Sequence, residues 1–260
     1  MSISGTWQNA YGSTMELSQS DDGFVIGLYS SSTGSSGTYW VVGHANPTPD
    51  ANAGQAVALS IYWRSIAGGP SNPTWHYVSG FSGQLVALDG TPSMVLLHAM
   101  VDSDDSPGPG GLGTYLDKLV YTQAPQSQTL KNVERLREAD DAQDPVCGTW
   151  ATTSGPALSI DVLGVSDATG YTLGTITPAG SAALAAVGFT DVTAGPDGLA
   201  LQSLSLAAFD AANATVWSLA GTLNLKTGVL TVLQMQSHGT APDNTYAQTT
   251  VTQFVLSRVG

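Results

Sequence analysis

The residue types that could do chemistry in this chain are scattered, and their spacing excludes most reactions. His44, His76, His98 and His238 form no i,i+4 pair, and no Cys/His spacing fits zinc. Asp102-Ser103-Asp104-Asp105 lacks the glycine and terminal glutamate of a calcium loop and reads as a solvated hairpin tip. Gly80-Phe81-Ser82-Gly83-Gln84 fails the nucleophile-elbow pattern, no acid–base pair stands out, and no phosphate loop is present. Neither a catalytic residue nor a metal or cofactor is expected. What the first half keeps is amide, hydroxyl and carboxylate side chains where a small ligand could be held. Gathered in a dry pocket, such groups hold a small polar ligand by hydrogen bonds alone. Taken singly, each reads as an ordinary turn or strand residue.

The elements that must position them come in two copies. Gly5-Thr6-Trp7 opens the first and Gly148-Thr149-Trp150 the second, 143 residues later. A period that long means two copies of one domain rather than a solenoid. Short alternating or β-branched runs recur through both halves, from Thr14–Ser18 to Tyr115–Gln123 and from Ala157–Val162 to Ala247–Val259. Turn clusters such as Ser20-Asp21-Asp22-Gly23 separate them. This predicts an all-β chain of two tandem eight-stranded antiparallel up-and-down barrels. Closure removes the exposed sheet edges and leaves an interior able to hold one small ligand. The expected domains are residues 1–124 and 146–260, joined by a linker over 125–145. That linker is helix-capable: Ser127 could cap it, Leu130, Val133 and Leu136 fall at helical spacing, and Asp144-Pro145 stops it.

Charge narrows the partners. Seven Lys and Arg stand against twenty acidic residues, a formal net charge of −13. Phosphate recognition needs clustered cations, so neither nucleic acid nor an anionic membrane is an expected partner. The one cysteine, Cys147, reads as a buried inert thiol. No signal peptide is apparent in Ser2-Ile3-Ser4-Gly5-Thr6-Trp7, which favours the cytoplasm, and no apolar run is long enough to span a bilayer.

Ile3-Ser4-Gly5-Thr6-Trp7-Gln8-Asn9-Ala10-Tyr11-Gly12-Ser13-Thr14 resembles the first strand and turn of the avidin/streptavidin family. The likeness continues in Gly27-Leu28-Tyr29-Ser30-Ser31, Trp63, Phe81-Ser82-Gly83-Gln84 and Asp117-Lys118-Leu119-Val120-Tyr121. It implies that Asn9, Ser13 and Tyr29 converge on a ureido oxygen, while Ser31 and Asp117 take the two ring N–H groups. Trp63 and Phe81 match pocket walls, and His98 stands where a third aromatic wall would be. Tyr77 and Ser35 match positions facing the ligand's tail. The tryptophan lid lent by a neighbouring subunit has no counterpart at Pro109-Gly110-Gly111. Trp7 is expected to plug the barrel core.

The second copy reads differently. Thr152 stands where Asn9 does, Pro156 where Ser13 does, Ile176 where Tyr29 does and Gln234 where His98 does. Phe254 is read as the counterpart of Asp117, Trp217-Ser218 as lying near the place of Phe81-Ser82, and Tyr246 as matching the lid. The resemblance therefore implies a non-catalytic binder of biotin or a biotin-like cyclic urea in the N-terminal barrel. The C-terminal barrel becomes a pseudo-dimer partner, and two such chains are expected to associate. The alternatives are a defence or toxin-like protein that binds a glycan, lipid or other apolar ligand, and a barrel enzyme.

Overall fold

A computed structural model describes residues 2–31, 36–51, 53–67, 75–104, 114–124, 143–155, 157–241 and 249–259. Ser35, the Pro109-Gly110-Gly111 stretch, the linker up to 142, Pro156 and Tyr246 lie outside them. The described residues form sixteen strands and no helix.

The first barrel runs β1 (Gly5–Asn9), β2 (Thr14–Gln19), β3 (Phe24–Ser31), β4 (Gly37–Ala45), β5 (Gln55–Tyr62), β6 (Tyr77–Leu88), β7 (Thr91–Asp102) and β8 (Thr114–Gln123). The second runs β9 (Gly148–Thr152), β10 (Leu158–Val165), β11 (Tyr171–Pro178), β12 (Leu184–Thr190), β13 (Leu201–Asp210), β14 (Thr215–Asn224), β15 (Val229–His238) and β16 (Thr249–Arg258). Each set pairs antiparallel in chain order, and the first strand closes on the last. The predicted tandem of closed barrels is the observed fold.

The repeated Gly-Thr-Trp has one structural reason in both barrels. Trp7 and Trp150 are each 1% exposed. Trp7 Nε1 donates to the Ile3 carbonyl at 2.7 Å, and Trp150 Nε1 to that of Val146 at 2.8 Å. A buried indole N–H needs an acceptor, and the chain four residues upstream supplies it. Gly5 and Gly148 take φ values of +141° and +129°, which glycine tolerates best. Cys147 is buried beside the second plug, as expected.

Alternation sorts every strand into an inward and an outward set. In the first barrel Trp7, Met15, Val25, Tyr29, Val41, Leu59, Phe81, Leu96 and Tyr121 fill the interior. The outward residues of β4 to β7 meet those of β12 to β15. Val42, Tyr62, Val78 and Val101 pack against Tyr171, Val187, Phe189 and Met235, and Ala56 and Ala58 against Ala207 and Val216. Small residues let the sheets approach: a Cβ on Gly80 would stand 2.7 Å from Ser218 Oγ. Contacts of β5 with β12 are mirrored by β4 with β13, and those of β6 with β15 by β7 with β14. This is the isologous pattern of a two-fold dimer, built within one chain.

Polar pairs stitch the same face. Ser82 Oγ lies 2.8 Å from Ser237 Oγ, Gln84 exchanges two bonds with Thr240, and Ser103 Oγ donates to Ser203 Oγ at 2.9 Å. Asp102 and Ser103 are therefore not a solvated tip. They are 3% and 2% exposed because the second barrel covers them.

The densest cluster centres on Asp191, which is 0% exposed. It accepts from Tyr62 Oη at 2.8 Å and from Thr193 Oγ1 at 2.7 Å, and lies 2.9 Å from His76 Nδ1.

Candidate functional site

Asn9 ends β1 and points inward after Trp7. Its Oδ1 accepts the Tyr11 and Ser13 backbone N–H groups, both at 3.0 Å, and so braces the turn into β2. Because the oxygen is spent on the turn, the Nδ2 donors face away from it. Ser13 is 2% exposed, and its Oγ stands 3.5 Å from Ser31 Oγ at the end of β3. Three of the anticipated polar residues are thus brought together by one turn and one strand end.

Tyr29 lies on the inward side of β3, edge-on to Trp63 with ring centroids 5.2 Å apart. Tyr39, wholly buried on β4, closes a three-ring wall at 5.0 Å from Trp63 and 6.4 Å from Tyr29. Burial, with Tyr29 adding to it, pushes the Tyr39 phenol up to about 12. Sequence reasoning missed Tyr39. Its signal was there, since it alternates with Val41 on an inward face.

Across the interior, Trp63 Nε1 donates to Ser79 Oγ at 2.8 Å, and Ser79 Oγ lies 2.8 Å from His98 Nε2. An indole nitrogen only donates, so the serine keeps its own proton for the imidazole. His98 stacks on Phe81, as a third ring should, with centroids 4.5 Å apart and planes at 11°. Burial pulls the His98 pKa down to about 4, against the opposing charge of Asp117. Ser79 also went unforeseen, because nothing in a lone strand serine announces a bridge between two rings.

Asp117 faces His98 in register across β7 and β8, on the same side of β8 as Leu119 and Tyr121. It is exposed, however, and its Oδ1 accepts the Lys118 N–H at 2.7 Å. Tyr77 is half-buried against the interior cluster. Asn9, Tyr29, Ser31, Trp63, Tyr77, Phe81, His98 and Asp117 all share the inward face, and Ser13 sits in the adjoining turn.

Pairing corrects two equivalences in the second barrel. Gly83 and Gly221 mark one position, each with a neighbouring carbonyl oxygen 2.0 Å from where a Cβ would stand. Counting from them, Phe81 matches Leu219, and Trp217-Ser218 takes the place of Ser79-Gly80. Asp117 pairs with His98 as Thr252 pairs with Gln234, so Thr252, not Phe254, is its counterpart. Tyr121 opposes Asn9 as Leu256 opposes Thr152. The second interior holds Ile176, Leu219, Phe254 and Leu256 where the first holds Tyr29, Phe81, Leu119 and Tyr121.

Two closed eight-stranded barrels, the first with a polar set on its inner wall, are consistent with a tandem avidin-like chain. Residues 1–106 match the model of the Avidin family. The match ends before β8, the strand that carries Asp117 and Tyr121. No curated protein matches the chain.

Proposed function

We propose that the N-terminal barrel binds biotin or a biotin-like cyclic urea non-covalently. Asn9, Ser13 and Tyr29 donate to the ureido oxygen, Ser31 and Asp117 accept its N–H groups, and Trp63, Phe81 and His98 form the walls. The observation that carries this reading is Asn9, whose oxygen is locked into the β1–β2 turn, so that its Nδ2 group, with Tyr121 Oη as a polar neighbour, is the part left to meet a ligand. The C-terminal barrel serves as a pseudo-dimer partner, since its equivalents of Asn9, Tyr29 and Asp117 are Thr152, Ile176 and Thr252. Two chains then associate through the outer faces of the closing strands, where Leu116 and Val120 on β8, and Val251 and Val255 on β16, are apolar and 38–52% exposed.

Titration calorimetry of the purified chain with biotin tests the binding reading. One ligand per chain is the expected result. Two per chain would overturn the contrast between the barrels, and absence of heat would overturn the ligand. Sedimentation equilibrium of Val120→Lys against the parent chain tests the association.

A further inference from the structure

Tyr121 lies on the inward face of β8 and is 0% exposed. It stands opposite Asn9 on β1 and opposite Met94 on β7. Its hydroxyl has Asn9 and Tyr29 as polar neighbours, yet neither completes a well-aligned hydrogen bond with it. A buried hydroxyl without a partner is costly and uncommon in a folded protein. The barrel itself does not need it. Leu256 fills the equivalent place in the second barrel, equally buried, with no polar atom at all.

The hydroxyl therefore sits where a ligand atom could satisfy it, next to the Asn9 amide and the Tyr29 phenol. We infer that Tyr121 is a specificity-determining ligand contact, donating from Oη to the buried acceptor oxygen that Asn9 and Tyr29 also address. This rests on the cyclic-urea reading and deepens it. The first barrel selects ligands whose innermost atom is a strong oxygen acceptor, and it discriminates against analogues with a weak acceptor there. Neighbouring burial explains why the phenol stays protonated and able to donate: desolvation raises its pKa, and Tyr29 adds to the effect.

The test is titration calorimetry of the parent chain and Tyr121→Phe with two probes. One is biotin; the other is its thio analogue, in which sulfur replaces the ureido oxygen. Tyr121→Phe should weaken biotin at least tenfold and weaken the thio analogue far less, while the ligand-free melting temperature stays level or rises. Tyr121→Leu, which installs the second barrel's residue, should repeat the pattern. Unchanged biotin affinity in the variants, or an equal loss for both probes, overturns the Tyr121 contact alone. A parent chain that takes neither probe overturns the cyclic-urea reading and this inference with it.

Discussion

His98 lies flat on Phe81, ring centroids 4.5 Å apart and planes 11° from parallel. The stack and the Ser79 contact hold a neutral imidazole inside the barrel, with its pKa lowered to about 4 chiefly by desolvation. His44 is lowered to about 4 for the same reason. Unfolded histidine titrates near 6.5. Between those values the unfolded chain binds protons that the native chain refuses, so stability rises with pH across that window. The contribution is complete above about 6.5 and lost as pH falls towards 4. Urea unfolding at pH 7 and pH 4.5 should show a clear drop in midpoint. His98→Phe, which preserves a stacked ring, should shrink that drop; an undiminished drop would remove His98 as its source.

Asn9→Asp separates binding from folding. The carboxylate can still accept the Tyr11 and Ser13 N–H groups, but the Nδ2 donors are gone. Biotin affinity should fall by at least tenfold, about 1.4 kcal/mol, with little change in melting temperature. Full affinity in this variant would show that the amide does not meet the ligand.

Asp117→Ala offers a complementary measurement. Asp117 is exposed, so its removal should leave the melting temperature unmoved. If its carboxylate accepts a ligand N–H, calorimetry should again find a loss of tenfold or more, about 1.4 kcal/mol. Parent-like affinity here and in Asn9→Asp together would discard the proposed polar floor.

Asp191→Ala addresses the joint between barrels. It strips the acceptor from Tyr62 and Thr193 and leaves His76 with only the Thr193 hydroxyl at 3.2 Å and the Asp197 carboxylate at 3.7 Å. Breaking such a buried set costs roughly 3–5 kcal/mol. For a chain of this size the melting temperature should fall on the order of 10 °C. Differential scanning calorimetry that finds no fall would make the cluster incidental.

Much of this was legible in the sequence because alternation is a strong signal. The runs Thr14–Ser18 and Tyr115–Gln123 lie within a residue of β2 and β8, and the paired Gly-Thr-Trp gave away the repeat. Asn9, Ser13 and Ser31 could be grouped because the motifs that carry them resemble those of the avidin/streptavidin family, and the fold brings them together at one turn and one strand end. Register across barrels was harder to read. The offset between equivalents shrinks from 143 residues (Trp7 to Trp150) to 135 (Tyr121 to Leu256), so loop-length changes displaced Phe254 by two positions. Asp102, Ser103 and Asp191 were beyond reach for another reason. Their burial comes from the packing of one barrel on the other, and no local pattern records that contact.

The two-fold arrangement of the barrels is imperfect at one place. Gly188 pairs with Leu206 as Gly43 pairs with Leu59, so Asp191 corresponds to Asn46 and Tyr62 to Phe209. The bond from Tyr62 to Asp191 thus has no mirror image: Phe209 cannot donate one. In a dimer of identical subunits every substitution falls on both sides of the axis, and an acid paired with a phenol must be tolerated twice. Here each position mutates alone, so a lock can form on one side while the other does without it. Copies joined in this way are matched by difference, Tyr62 of the first barrel meeting a carboxylate that only the second barrel carries at that place.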